Sequence, residues 1–328
     1  MLVEIDQVEA FVAIVRRGGF TRAAAALHLS QPAVSRRLEL LEREMGQPLF
    51  DRTRGGARLT EAGRTFLPHA EALLASMRDG LEAVQALNRA DRGTVTLAMV
   101  GTLASTTLTA RLRTFGHAHP QVRLALRTAL SREVTALVRR GDAALGLRYF
   151  PDPDPDVVSL PLYKEALVTV CAPNHRLARA RRPNARMLAG ETWVAFAVRP
   201  VAAGESYAQM LTERLATLGL GDAEIIPIDS LTAQKRMVEA GFGLALLPES
   251  SVDEELRTGT LRAMRISGTR VTIPVLLIHR RRAYLSGAAR ALMAELAAWP
   301  SRQTPPRGVN GSGRRLPRGA RKTAGRHG

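Results

Sequence analysis

The chain has 328 residues, 45% of them hydrophobic and 23% charged, with one cysteine and a formal net charge of +17. That length suits two or three domains with cores of their own, and the composition excludes collagen-like, disulfide-built and wholly disordered classes. The charge invites a nucleic-acid partner without establishing one: residues 301–328 hold eight Arg or Lys and no acid, leaving +9 on the rest, and the first 60 residues balance nine Arg or Lys against seven acids. The placement of single arginines has to carry that reading.

No apolar run approaches the roughly 18 residues that span a bilayer, and MLVEIDQVEAF lacks the basic-then-apolar order of a signal peptide. Cys171, inside ALVTVCAP, reads as a buried strand thiol rather than a nucleophile. A cytoplasmic, nucleoid-associated protein without a membrane partner is expected. There are no repeats of solenoid or propeller period.

From the N-terminus, Ile5, Val8, Phe11, Val12 and Val15 recur at helical spacing, and Gly18-Gly19 stops that helix. Thr21 can cap a second helix, with Ala24 and Leu27 facing inward. In LSQPAVSRRLELLEREMG, Ser30 can cap a third helix and Pro32 suits its first turn. Val34, Leu38, Leu41 and Met45 form its apolar stripe, and Gly46 with Pro48 ends it. At about 100° per residue, Pro32, Arg36, Glu39 and Arg43 face away from that stripe, with Ser35 on the flank and Gln31 at the N-terminal end. An ordinary solvated face explains them alone. A helix entering a major groove N-terminus first explains them better: Gln and Arg pair with base edges, and Ser and the helix end reach phosphate. In the next segment, PLFDRTRGGARLTEAG, Gly55-Gly56 marks a tight turn between two extended arms. Arg52, Arg54 and Arg58 stud it, the pattern of a basic wing that touches DNA backbone or minor groove.

The run FVAIVRRGGFTRAAAALHLSQPAVSRRLELLEREMGQPLFDRTRGGARLTEAG, Phe11 to Gly63, strongly resembles the LysR-type transcriptional regulators. The resemblance implies a winged helix-turn-helix, a dimerising linker helix and a periplasmic-binding-protein-like effector domain in homodimers or homotetramers acting on operator DNA, and on RNA polymerase if an activator. It makes Gln31, Pro32, Ser35 and Arg36 the DNA-contacting start of the recognition helix, Thr21 a phosphate contact and Arg52 the wing arginine. Arg37 departs from the family's usual glutamine, which leaves open altered sequence preference or an added phosphate contact.

Thr60 can cap a further helix whose seam is Phe66, Ala70, Leu73, Met77, Leu81, Val84 and Leu87, with a kink or short break expected near Pro68. So long a seam suits pairing with a copy of itself; packing on its own effector domain is the alternative. From Gly93, TVTLAMV, VRLALRT and ALGLRY read as strands with helices at about 105–116 and 131–140 between them. ALVTVCA, TWVAFA, EIIPI and LALLP form a second set, and TIPVLLIH with a helix at 284–299 returns to the first. Two α/β lobes joined by crossing strands leave a cleft at the strand ends.

Candidate ligand contacts are Thr102 after the first strand, Ser131 at the start of the second helix, and Ser230 and Thr232 at a helix start in the other lobe. Such ends suit a carboxylate or phosphate guest, although plain helix capping explains each hydroxyl equally well. Phe196 and Arg199 can line the cleft from the second lobe, with a solvated loop charge the alternative for Arg199. Less specifically, VGTLASTTLTARLRTFGHAHPQV, LVRRGDAALGL, LYKEALVTVCAPNHRLA and MVEAGFGLALLPES resemble the family's effector domain, with Thr102, Ser131 and Thr232 at effector-facing positions. Ala144 replaces a usual aspartate, for which Asp142 can compensate.

No GxGxxG after a strand, GxxxxGK[ST], GxSxG or HExxH is present, and His117 and His119 lack partners for a metal site. Neither an enzyme nor a cofactor is expected. The expected fold is therefore α/β, with a helix-dominated winged helix-turn-helix (1–60), a linker helix (61–90) and a two-lobed type 2 periplasmic-binding-protein-like effector domain (93–300). Lobe I takes about 93–163 and 268–300, and lobe II about 164–267. Residues 301–328 read as a disordered basic tail, either inert or a polyanion contact. The function expected is sequence-specific DNA-binding regulation controlled by a small molecule, for which an organic anion is the leading candidate. The alternatives are an oligomeric DNA-binding regulator without effector response, a non-specific architectural DNA binder, or an α/β enzyme.

Overall fold

The computed structural model describes residues 3–53, 56–88, 93–180, 182–197, 207–266 and 271–298. The N-terminal unit starts with α1 (Ile5–Arg17), whose C-terminal Gly18 takes the left-handed conformation (φ 68°) that a side chain disfavours. The second helix, α2, spans Phe20–Leu27. Its cap is Gly19 rather than the Thr21 expected, because the glycine pair lets the chain bend straight into the helix; Thr21 becomes an exposed first-turn residue. His28, left-handed at φ 56°, makes the turn into α3 (Gln31–Met45). The Ser30 side chain accepts from the Ala33 N–H at 3.3 Å and caps α3.

Val34, Leu38 and Leu41 are buried against Val8, Phe11, Ile14 and Ala24, which locks the three helices together. A hairpin follows, β1 (Phe50–Thr53) against β2 (Gly56–Leu59), with Arg52 opposite Ala57 and Arg58 opposite Asp51. The Glu42 carboxylate accepts from the backbone of Leu49 and Phe50 and holds the hairpin to α3. The start of α4 (Glu61–Asn88) passes so close that a Cβ on Gly63 would lie 2.2 Å from the Leu49 carbonyl oxygen. Thr60 accepts from the Gly63 N–H and caps it.

The break expected near Pro68 is absent: α4 is continuous from residue 61 to 88. Pro68 is solvent-exposed, so the carbonyl freed one turn back can be hydrated, while Phe66 and Ala70 hold that turn to the N-terminal core.

The remaining elements are β3 (Gly93–Val100), a 3-10 turn at Gly101–Leu103, α5 (Thr106–Ala118), β4 (Val122–Ala129), α6 (Ser131–Arg139), β5 (Leu145–Tyr149) and β6 (Val157–Cys171). Then come α7 (Ala185–Leu188), β7 (Trp193–Ala195), α8 (Tyr207–Thr217), β8 (Ile225–Pro227), α9 (Leu231–Glu239), β9 (Ala245–Pro248), a 3-10 turn at Glu249–Ser251, α10 (Asp253–Thr258), β10 (Arg262–Met264), β11 (Thr272–Arg280) and α11 (Gly287–Ala297).

Strands β4, β3 and β5 run parallel, then β11 and β6 add antiparallel. The long β6 joins the two lobes. Its residues 157–166 pair with β11, and residues 167–171 pair with β9 and β10. The sequence pattern shows only its second half as a strand. Pro161 disguises the first half, since proline lacks the donor a ladder needs, and the ladder tolerates it beside a register shift at Val275/Leu276. Cys171 is fully buried, and desolvation pushes its thiol up to about 11, as expected for an inert strand residue. No helix among the described residues is long and apolar enough to cross a membrane.

Candidate nucleic-acid interface and effector cleft

The third helix buries one face and leaves the other to solvent. Gln31, Pro32 and Arg36 are exposed at its N-terminal end, and the Gln31 side-chain amide donates to the Ser35 hydroxyl at 3.1 Å. That bond aligns two polar groups on the first turn, where the helix end also presents unpaired N–H groups. Arg37 behaves differently: its guanidinium is held by Asp6 of α1 at 3.0 Å, so the departure from glutamine ties two helices together. Arg58 is exposed on β2, and Arg52 lies on β1; Arg54 falls outside the described residues.

Five strand ends and two helix starts carry the residues expected at the cleft. Thr102 and Ser131 follow the C-terminal ends of the parallel strands β3 and β4, and Tyr149 ends β5. In the other lobe Phe196 follows β7, while Ser230 and Thr232 follow β8, which runs parallel to β7. Ligands in open α/β sheets gather at such carboxyl ends. Ser230 caps α9 by accepting from the Ala233 N–H, Thr232 is exposed in its first turn, and Ser131 is the first residue of α6. Phe196 is partly exposed; Arg199 lies outside the described residues.

Thr102 is buried, and its hydroxyl donates to the Tyr149 hydroxyl at 3.0 Å. This is one end of a network the sequence pattern does not reveal. Glu165, 1% exposed on β6 between the lobes, accepts from the Ser250 N–H at 3.3 Å and bonds Tyr163. Desolvation raises the Glu165 carboxyl above its ordinary value, with Glu249 and Asp253 adding to it. Burial likewise raises both tyrosine hydroxyls. The lone acid ahead of an apolar strand in KEALVTVC was the signal available.

A second polar cluster links the N-terminal unit to the first lobe. Asp142, after α6, pairs with Arg16 of α1 at 3.4 Å, Arg78 of α4 at 3.3 Å and Arg140 at 3.0 Å. Burial would raise its carboxyl, but the hydrogen bonds from Arg140 and Arg78 and the charge of Arg16 hold it below its ordinary value. Glu71 of α4, also buried, meets Arg16 at 3.6 Å and Arg139 at 3.1 Å. Farther along α4, Asp79 pairs with the buried Arg280 of β11 at 2.7 Å.

Along the same stretch of α4 the apolar seam faces solvent: Leu73, Met77, Leu81 and Val84 are 45–63% exposed. A row of large apolar side chains left bare along one helix marks an interaction surface.

The model for "Bacterial regulatory helix-turn-helix protein, lysR family" matches residues 5–64, and that for "LysR substrate binding domain" matches residues 88–300. Among curated proteins, the HTH-type transcriptional regulator CfxR of Cupriavidus necator is 31% identical over 89% of this chain and 90% of its own. The RuBisCO operon transcriptional regulator of Allochromatium vinosum is 30% identical over 89% of this chain and 94% of its own. Among solved structures, a cysteine-to-aspartate variant of full-length OxyR from Pseudomonas aeruginosa superposes with a TM-score of 0.69 at 19% identity, covering 90% of this chain and 98% of that one. Full-length CbnR complexed with its target DNA superposes with a TM-score of 0.61 at 23% identity, covering 89% and 98%.

Proposed function

The chain belongs to the LysR family of DNA-binding transcriptional regulators, with an effector-binding domain behind the helix-turn-helix, and from that premise we propose how its residues divide the work. The reading head is α3. Gln31, Pro32, Ser35 and Arg36 enter the major groove, Thr21 reaches a phosphate, and Arg52, Arg54 and Arg58 of the wing hold backbone or minor groove. Arg37 serves the head indirectly by fixing α3 to α1 through Asp6. The observation that carries this is the division of α3 itself: a capped N-terminus, one face sunk in the core, and a polar face left exposed at the leading turn.

The bare α4 seam pairs with the same seam of a second copy, so that two heads meet two half-sites about one helical turn apart. Two such dimers joined through their effector domains make a homotetramer that bends the intervening DNA, and an activating form would contact RNA polymerase. The site of action is the cytoplasm. The effector is a small molecule in the interlobe cleft. Its anionic group, if an organic acid, sits at the first turns of α6 and α9 by Ser131, Ser230 and Thr232. Thr102, Phe196 and Arg199 line the remainder. The ligand acts only through its different affinities for two lobe arrangements.

The test is selection of duplexes from a random pool by the purified full chain, followed by footprinting. We expect a preferred sequence with two protected half-sites about 10 base pairs apart, bound by an oligomer. Binding without sequence preference, or by a monomer, would overturn the reading. Thr102→Ala should blunt an effector-induced change in that footprint and leave apo binding intact.

A further inference from the structure

We propose that the joint between the lobes is a proton-operated latch: Glu165 holds the 3-10 turn Glu249–Ser251 against β6 while it carries a proton and releases the turn when ionised, so that the arrangement of the cleft responds to pH. The proposal rests on the reading of the cleft as the sensing site and gives that site a second input.

Glu165 stands where the chain passes from one lobe to the other. Residues of β6 up to 166 pair with β11, and those from 167 pair with β9 and β10. Register sets a row across the first lobe: Tyr149 of β5 and Tyr163 of β6 both lie opposite Val275 of β11. Glu165 follows Tyr163 by two residues and so shares its face of the sheet. Thr102, at the cleft end of β3, donates to the Tyr149 hydroxyl at 3.0 Å, and Glu165 bonds Tyr163. On its other side Glu165 accepts from the Ser250 N–H at 3.3 Å, and the turn that carries Ser250 also lies against α5 of the first lobe. One carboxyl group thus seats a turn of the second lobe on the crossing strand.

The surroundings do not favour a negative charge there. Glu165 is 1% exposed, and the charges that act on it are those of the acids Glu249 and Asp253. The cations near this region are engaged or point away. Arg265 pairs with Glu249 at 3.9 Å, Lys235 with Glu255 of α10, and Arg111 of α5 with Glu295. Arg113 of α5 is exposed, and so is Lys164, which alternation places on the opposite face of β6. Strand β11 presents Ile273 opposite Glu165, and β9 is apolar throughout. Ser250, Tyr149 and Tyr163 contribute hydroxyls alone. An ionised carboxylate buried without a cation is costly, so either the group keeps a proton or the turn moves to admit water. Desolvation accordingly raises this carboxyl above its ordinary value.

The arrangement with the turn seated holds the proton, and one with the turn lifted and Glu165 hydrated gives it up. Falling pH therefore favours the seated turn. A cleft ligand that prefers the seated arrangement gains affinity with it, by linkage.

The test is hydrogen exchange of the full-length chain, followed by mass spectrometry on peptides covering residues 245–252, from about pH 4 to about pH 8 and corrected for the intrinsic exchange rate. Protection of the turn should fall by about tenfold or more in total as pH rises from the ordinary carboxylate value to the raised one, and level off beyond it. Glu165→Gln, which keeps the shape and an acceptor, should stay protected at every pH. Asp253→Asn removes a neighbouring negative charge and should end the fall at a lower pH; a merely structural role for Glu165 would not move that endpoint, and this variant carries the test if Glu165→Gln fails to fold. Three results would overturn the proposal: a flat profile in the wild type, the same fall in folded Glu165→Gln, or an unmoved profile in Asp253→Asn. The measurement needs neither DNA nor effector, so its failure leaves the reading of the cleft standing, and failure to find an effector leaves the latch standing.

Discussion

Neighbouring arginines on one helix have opposite assignments. Arg36 is exposed beside the leading turn of α3, while Arg37 is engaged by Asp6. Arg36→Ala should therefore weaken binding to the selected operator by about 1–3 kcal/mol and relax preference at one base position, if the contact is bidentate. Arg37→Ala should leave base preference unchanged and lower the melting temperature slightly, since a partly exposed pair contributes about 1 kcal/mol or less. Competition binding with single-base operator variants distinguishes them; equal loss of discrimination in both would show that Arg37 also reads DNA. Glu165 makes a prediction in pH. Its folded carboxyl titrates above the ordinary value of 4.5, so the folded chain holds that proton more tightly than the unfolded one. Stability then falls as pH rises from the ordinary carboxylate range through the raised value. Glu165→Gln removes that loss, and its melting temperature should gain on the wild type between pH 4 and pH 8. A constant difference across that range would mean that Glu165 does not titrate in it.

At the scale of elements, α4 is divided along its length. Its first turns belong to the N-terminal core through Phe66 and Ala70, whereas Leu73, Met77, Leu81 and Val84 face solvent. Leu81→Glu would set a charge into any self-paired seam, opposite its own copy, where an unpaired buried charge costs several kcal/mol. Sedimentation should show the dimer weakened by at least a hundredfold with the monomer still folded; an unchanged dimer would move the interface off α4. The same elements show what local chemistry makes legible. Each boundary of the helix-turn-helix is set by a residue within one turn of it, such as Gly18, Ser30 or Gly46, and so can be read in order. The seam of α4 follows from spacing alone. The first half of β6 does not, because Pro161 contradicts a strand until β11 is beside it. The Glu165 network is hidden for a related reason: Thr102, Tyr149, the β6 pair Tyr163 and Glu165, and Ser250 come from four separate segments, and only the assembled joint makes them neighbours. Arg37 is a smaller case, its partner lying 31 positions away in sequence, on another helix.

Across the whole molecule, the polar cluster at Asp142 ties the N-terminal unit and α4 to the first lobe. Arg16 comes from the head, Arg78 from α4 and Arg140 from the first lobe, and one carboxylate holds all three. Its side chain is only 18% exposed, so solvent screens these pairs less than surface ones. Movement of the first lobe relative to α4 must therefore stretch bonds that also position α1. Asp142→Asn keeps the shape and removes the charge, leaving three arginines close together around a neutral amide. The expected loss is about 1–3 kcal/mol at neutral pH. Because the folded carboxyl titrates below its ordinary value of 3.8, its contribution is complete above that value and fades as pH falls through the folded one. The gap between wild type and variant should thus be widest near pH 7 and close under acid conditions. Calorimetry adds a readout that separates coupling from mere stability: the intact link makes the head and first lobe melt together, and Asp142→Asn should split them into two transitions. A single transition in both proteins, displaced by the same amount at every pH, would mean that Asp142 stabilises its own loop and transmits nothing.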